Sequence, residues 1–252
     1  MNTNPSCGDP RHVIARRAAA ELRDGQLVNL GIGLPTLIQG YVAPEIKIWI
    51  HSENGIVGIG RMAAAESIDT ELIDAGGAYV TVTTGGAVVD SATSFGIIRR
   101  GLLDVTFLGA MEVSQHGDLA NWMIPGKFAA GIGGGAELAQ KARRVIVTMP
   151  HTDKDGNGKI VENCTLPLTA RRCVSTIITE HAVFDIGISG LVLREILSEL
   201  SLTQMRAITA APFTDARGLL GSNPQVAAGA CFRQHGLRNT AAFVETKSGE
   251  VR

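Results

Sequence analysis

What this sequence lacks first is a charge imbalance: its formal net charge is −1 at pH 7, which gives no electrostatic reason to expect nucleic acid or an anionic membrane as a partner. No run approaches the roughly 18 apolar residues that a membrane span needs, and the first residues carry no apolar signal-peptide core. Arg11, Arg16 and Arg17 stand in an alanine-rich stretch, but Asp9 and Pro10 read as a helix start rather than part of a targeting segment. The expectation is a cytoplasmic protein. Cys7, Cys164, Cys173 and Cys231 offer no C-x-x-C pair and no spacing suited to a zinc site or disulfide framework, so reduced thiols and no metal are expected.

What is present is a chain of 252 residues, 45% hydrophobic and 19% charged, with 30 glycines. That length supports a proper core, and that much glycine points to many tight backbone turns. Val13, Ile14, Arg17, Ala18 and Leu22 fit a helix from Pro10 to about Arg23, ended by Gly25. Short β-rich runs follow at 27–30, 46–50, 79–83, 103–108 and 144–148, most of them separated by helical or glycine-rich stretches. Residues 90–100 read as a crossover helix, with Asp90 and Ser91 as caps and Ala92, Phe95 and Ile98 on the apolar face. This alternation predicts an α/β fold built on a mixed, mainly parallel sheet with flanking helices. The runs 174–178, 182–186 and 191–194 lie too close together for crossovers and predict antiparallel strands at one edge. Residues 1–212 are expected to form a single domain, and 213–252, poor in periodicity, a loosely ordered tail.

Glycine loops punctuate the strands at Gly31-Ile32-Gly33, at Ser52-Glu53-Asn54-Gly55 through Gly58 and Gly60, and at Gly85-Gly86. In open α/β sheets, ligands sit beyond the carboxyl ends of the strands, where such loops fall. Glu53 follows an apolar strand and is aimed at that crevice; a shielded carboxylate there can act as a covalent nucleophile. From spacing alone, Ser-Glu-Asn-Gly is more often a polar turn. Gly131-Ile132-Gly133-Gly134-Gly135-Ala136 matches a dinucleotide fingerprint loosely, with Asp153 at about the right distance, but the strand that fingerprint needs is poor. The same loop reads as a plain turn or as a set of backbone N–H groups for an oxyanion. Arg171-Arg172 reads more readily as solvated surface than as a phosphate contact, and neither Cys164 nor Cys173 has a paired histidine to favour it as a nucleophile.

Taken together, Asn29-Leu30-Gly31-Ile32-Gly33-Leu34-Pro35-Thr36, Ser52-Glu53-Asn54-Gly55-Ile56-Val57-Gly58, Gly117-Asp118-Leu119-Ala120-Asn121-Trp122-Met123-Ile124-Pro125-Gly126-Lys127, Cys164-Thr165-Leu166-Pro167-Leu168-Thr169 and Ala182-Val183-Phe184-Asp185 resemble the B-type half of 3-oxoacid (succinyl-CoA type) CoA-transferases. The resemblance runs in order from about residue 10 to 212. It implies the fold of the B-type half of a CoA-transferase and a catalytic Glu53 that reacts by a ping-pong route through a glutamyl-CoA thioester. It also implies an oxyanion role for the loop at Gly133 and Gly134, with Asn54, Gly31 and Gly33 as further substrate-binding positions. No cofactor is implied, CoA being a substrate, and an A-type subunit is implied as partner. The chain departs from the family's pattern at Asp74, Gly77, within Arg99-Arg100-Gly101-Leu102 and within Gly133-Gly134-Gly135-Ala136, which leaves the acid pair open among succinate with acetoacetate, 3-oxoadipate, acetate and other short acids. A decarboxylase or hydrolase on the same scaffold and a non-catalytic CoA sensor are the competing classes, since fold alone does not fix function.

Overall fold

The computed structural model describes residues 9–217 other than 64, 65, 67 and 130. The chain enters through α1 (Pro10–Ala19), where the Asp9 carboxylate accepts from the N–H of Arg11 and Pro10 fills a first-turn position that needs no donor. Then come β1 (Leu27–Leu30), a 3-10 segment (Leu34–Tyr41), β2 (Trp49–Ser52), β3 (Ile56–Met62) and β4 (Val80–Val88). Helix α2 (Ser91–Arg99) is capped by Asp90, which accepts from the N–H of Thr93. It leads to β5 (Val105–Leu108) and to short strands β6 (Glu112–Ser114), β7 (Leu119–Ala120), β8 (Met123–Ile124) and β9 (Phe128–Ala129). The remainder is α3 (Gly135–Lys141), β10 (Val145–Thr148), β11 (Ile160–Val161), β12 (Thr176–Ile178), β13 (Ala182–Gly187), β14 (Gly190–Ile196), α4 (Leu202–Ile208) and β15 (Phe213–Asp215).

The main sheet is ten-stranded, in the order β15-β14-β13-β12-β10-β5-β1-β2-β3-β4. Its centre, from β12 to β2, is parallel throughout. Antiparallel pairs flank it as β12–β13–β14 and as β2–β3–β4, and β15 adds in parallel to β14. The predicted mixed, mainly parallel α/β architecture is the observed one. A sheet covered on both faces calls for continuous rather than alternating apolar strands, and every residue of β5 and β10 is buried. Ile14, Ile38, Phe107, Ile146 and Ile178 pack in one buried cluster, and Leu103, Leu119, Val147, Phe184 and Leu193 in another.

Several local expectations need correction. The second strand is not 46–50 but Trp49–Ser52, because the pairing that places Leu27 opposite Trp49 sets its register. Gly58, Gly60, Gly85 and Gly86 lie within β3 and β4 rather than in loops. A Cβ on Gly58 would stand 3.0 Å from the Gly86 Cα and 3.3 Å from the Trp49 ring, so these glycines let two strands and an indole approach closely. The ordered chain also passes the expected boundary at 212: Phe213 begins β15, is buried, and meets Phe184 edge to face with ring centroids 5.3 Å apart. The rest of the expected tail, from 218, lies outside the described residues, as do Cys7 and Cys231.

A charge cluster ties the end of α1 to strands that follow it by more than a hundred residues. Glu21, its side chain 10% exposed, accepts from Arg17 at 2.9 Å, from Arg194 at 2.6 Å and from Arg144. Burial alone would raise its pKa, but the charges of Arg194, Arg144 and Arg17 outweigh that and hold it at about 2. A carboxylate whose pKa is lowered on folding stabilises the fold above its unfolded value and loses that contribution as pH falls. Here the loss runs from about 4.5 down towards 2. We expect Glu21→Ala, which removes the acceptor shared by three partly buried guanidinium groups, to lower the unfolding free energy at neutral pH by about 1.5–3 kcal/mol in urea titrations, with the gap to wild type closing between pH 4.5 and 2.

Candidate active site

The carboxyl ends of β1, β2 and β5 meet at one place, and the glycine-rich motifs converge there. Strand register sets Asn29 on β1 opposite both His51 on β2 and Thr106 on β5. Asn29 is 1% exposed and Thr106 fully buried, so each must find its hydrogen bonds inside the protein. The Thr106 hydroxyl donates to Asn29 Oδ1 at 2.9 Å. That fixes the amide with Nδ2 outward, where it donates to the His51 carbonyl at 3.1 Å and to Glu53 Oε2 at 3.3 Å.

Glu53 is the first residue past β2, half-buried, in the turn that reverses the chain into β3. Gly55 closes that turn: it has φ +127°, and a Cβ on it would lie 2.2 Å from the Val89 carbonyl oxygen. Ser52 Oγ accepts from the N–H of Ala75, and the exposed Asn54 donates from Nδ2 to the Ile73 carbonyl at 2.6 Å. These two bonds pin the 73–75 loop beside the turn. Asn54, expected at the substrate, gives one of its two amide N–H donors to that loop.

His51 is buried behind Glu53, with Nε2 2.9 Å from the Ser94 hydroxyl of α2. Desolvation lowers its pKa to about 4, so the ring is neutral through the physiological range. Among the described residues His51 Nδ1 has no partner.

The glycine loop arrives from the other side. A Cβ on Gly134 would lie 3.1 Å from Glu53 Cγ and 3.3 Å from the Phe95 ring. Gly134 therefore sits directly against the Glu53 side chain. Gly133 has φ +48° and open space where a side chain would go. Among the described residues, neither its N–H nor that of Gly134 has an acceptor. The loop is held from below by Thr169 and Asn121, whose side chains bond to each other at 2.6 Å. Asn121 also donates to the Gly109 carbonyl, and Thr169 Cγ2 lies 3.9 Å from the position of a Cβ on Gly135. Thr169, from the Leu166-Pro167-Leu168-Thr169 motif, thus lies against the start of α3. The dinucleotide reading lacks its strand: β9, just before the loop, is a two-residue strand paired to β8, outside the main sheet. Asp153 is exposed in its own turn, accepting from the N–H groups of Asp155 and Asn157.

The remaining sequence candidates fall elsewhere or have local explanations. Gly31 donates its N–H to the Phe107 carbonyl at 2.8 Å, and a Cβ there would stand 2.9 Å from that oxygen, so strand packing explains it. Gly33 has φ +88° at the start of the 3-10 segment and faces open space. Burial pushes the Cys164 and Cys173 thiols up to about 12, so neither offers a thiolate near neutrality. Arg171 and Arg172 are exposed and line an open cleft with His116 and Cys164. Among the described residues no group of three or more His, Cys, Asp or Glu could hold a metal. Asn29 and Thr106 escape a reading of the sequence as site residues because a polar residue inside a short strand carries no periodic signal of its own; only the side-by-side register of β1, β2 and β5 brings them to Glu53.

The family model described as coenzyme A transferase matches residues 12–203. This chain belongs to the coenzyme A transferase family. It is 46% identical over 203 residues to the B-type chain of the succinyl-CoA:3-ketoacid coenzyme A transferase of Helicobacter pylori, covering 81% of this chain and 98% of that one. The human mitochondrial succinyl-CoA:3-ketoacid coenzyme A transferase 2 is 47% identical over 207 residues, where the match spans 81% of this chain but only 40% of the human protein. Among solved structures, the acyl-CoA transferase apoenzyme of Escherichia coli O157:H7 superposes with a TM-score of 0.67 at 22% identity, over 86% of this chain and 43% of that one. The family expected from the motifs is the one found, in an enzyme class that transfers CoA.

The close fit at Gly134 makes a direct test of the loop. At φ −76° its backbone accepts any residue, so a side chain there should fold and yet crowd Glu53. We expect Gly134→Val to reduce transfer about a hundredfold or more, as a misplacement of roughly 1 Å at a reacting group does, with an unchanged circular dichroism spectrum.

Proposed function

We propose that this chain is the B-type half of a 3-oxoacid CoA-transferase that moves CoA from an acyl-CoA such as succinyl-CoA to a 3-oxo acid such as acetoacetate, with Glu53 as the covalent nucleophile. The observation that carries the proposal is the placement of Glu53: a carboxylate directly past a sheet strand, held on one oxygen by Asn29 and packed against Gly134, whose N–H has no acceptor among the described residues. The activity for which the Helicobacter pylori relative is named supports the substrate class.

In this reading Glu53 Oε1 attacks the thioester carbon, the C–S bond breaks, and CoA leaves as a thiolate. The mixed anhydride that remains is attacked at Glu53 Cδ by the thiolate, which releases the first acid and forms the glutamyl-CoA thioester. The acceptor acid reverses both steps. Backbone N–H groups of Gly133 and Gly134 stabilise the oxyanion on the substrate carbonyl, a role in which loss of one donor costs about 10²–10³ in rate. A carboxylate attacks through an oxygen that bears no proton, so the route calls for no general base. The neutral, buried His51 fits that chemistry as a packing group behind Glu53 rather than as a base. Binding energy from the nucleotide end of CoA is available to drive the reacting end together.

The partner is an A-type CoA-transferase subunit. The B-type designation of the Helicobacter pylori relative and the 40% span of the human protein support a second, different half. On this reading the purified chain has little activity alone and gains it on addition of an A-type subunit. In the reconstituted pair, Glu53→Gln should lower transfer by several orders of magnitude with folding unchanged, since it keeps size and removes the nucleophile. A panel of acids assayed against succinyl-CoA and acetoacetyl-CoA identifies the pair; a best rate with 3-oxoadipate or acetate would reassign the substrate and leave Glu53 in place. Binding of CoA esters without any transfer would make the chain a sensor instead.

A further inference from the structure

We propose that Phe95 on α2 is a positioning residue that holds the Gly133-Gly134 loop at its working distance from Glu53. The proposal rests on the reading of Glu53 as nucleophile and of the loop as its oxyanion site, and it names what keeps the two in place. A loop of this composition does not hold itself. Gly131 and Gly133 have φ of +83° and +48°, and nothing lies within 4 Å of where a Cβ would stand on either. Glycine loses more backbone freedom on ordering than any other residue, whereas an oxyanion donor works only if it is already in place when charge develops. A neighbour has to restrain the loop from outside. At Gly134 the three atoms nearest to a Cβ position are Glu53 Cγ at 3.1 Å and Phe95 Cζ and Cε1 at 3.3 and 3.4 Å. The nucleophile's arm and one aromatic edge therefore meet the glycine at the same point.

The ring is a fixed spacer because α2 is fastened to the turn that carries Glu53. Ser94, beside Phe95, is fully buried, with its hydroxyl 2.9 Å from His51 Nε2 and donating to the Ser52 carbonyl at 3.4 Å. Those two partners directly precede Glu53. Ahead of the helix, Val89 donates its N–H to the Gly55 carbonyl at 2.8 Å, just past Glu53. At the far end of α2, the Arg99 guanidinium stacks on the Phe95 ring, 5.4 Å from its centroid, and donates to Glu137 of α3 at 2.9 Å. Helix α3 in turn takes up the Gly134 carbonyl through the Leu138 N–H at 3.0 Å. One helix is thus bonded both to the strand end that carries the nucleophile and to the helix that follows the loop, and Phe95 is its contact with the loop itself. An ion pair as exposed as Arg99 with Glu137 contributes little alone, so the spacing falls to the ring. Phe95 also packs on the larger apolar cluster. Truncating it costs stability in either case, and the test has to read spacing instead.

The test uses the chain reconstituted with its A-type subunit, mixed with succinyl-CoA and no acceptor, and follows the glutamyl-CoA thioester by intact mass in a quenched-flow series. Dissociation constants for CoA and melting temperatures are measured in parallel, and rates are taken well below the melting transition. Phe95→Leu withdraws the ring edge; thioester formation should slow about tenfold or more, part of the roughly hundredfold that a 1 Å misplacement costs, with CoA affinity unchanged. Gly134→Ala should slow the same step by crowding. The deciding variant is the double one, Phe95→Leu with Gly134→Ala, in which the smaller side chain makes room for the added methyl. It should be at least about tenfold faster than the product of the two single effects, because residues in contact couple. If Phe95→Leu fails to fold, Phe95→Met, closer in volume and without a rigid edge, takes its place in both measurements. A lowered melting temperature with thioester formation at the wild-type rate, or single effects that simply multiply, overturns the positioning role; if Glu53→Gln still forms no thioester, the nucleophile reading stands. Wild-type transfer by Glu53→Gln overturns the nucleophile reading itself.

Discussion

A carboxylate placed at the end of a buried parallel sheet is the constraint around which this molecule is organised. Left alone there, Glu53 would be costly, since an ion losing its water needs hydrogen bonds in return. The chain answers with one polar row, Thr106 to Asn29 to Glu53, laid across β5, β1 and β2 in strict register. Much of the surrounding sequence follows from that. Strands β1 and β5 must be parallel neighbours, β2 must end at Ser52, Gly55 must turn back at once, and Gly134 must have no side chain.

The two ends of the central strands contrast in their electrostatics. Glu21 sits beside Arg144, which directly precedes β10, and is matched by several guanidinium groups at short range. That end is saturated and serves stability. At the other end Glu53 has a single long hydrogen bond, Gly133 and Gly134 keep unbonded N–H groups, and His51 keeps an unpartnered nitrogen among the described residues. Unfilled hydrogen-bonding capacity gathered around one carboxylate is what a site awaiting a charged transition state requires.

The sequence made the fold class, the helix starts at Asp9 and Asp90, the antiparallel edge after 174 and the place of Glu53 directly past a strand legible. Each rests on a local signal: a cap, a period, or a motif. What it hid depended on distant partners. Ile46, Ile48 and Ile50 alternate like a strand, yet pairing with β1 begins only at Trp49. Gly58, Gly85 and Gly86 look like turns and instead serve the close approach of β3, β4 and Trp49. Phe213 begins a strand of three residues, too short for any periodicity, which is held by Phe184. Asn29 stands inside the Asn29-Leu30-Gly31 motif, but its amide nitrogen faces Glu53 because Thr106, 77 residues away, holds its oxygen.

The most direct test of the account is to incubate the reconstituted enzyme with succinyl-CoA in the absence of acceptor, digest it, and locate CoA by mass on its peptides. The account predicts one CoA per B-type chain, on the peptide that contains Glu53, and its disappearance on addition of acetoacetate with formation of acetoacetyl-CoA. Continued transfer with no adduct on that peptide, or an adduct on a different residue, would contradict it.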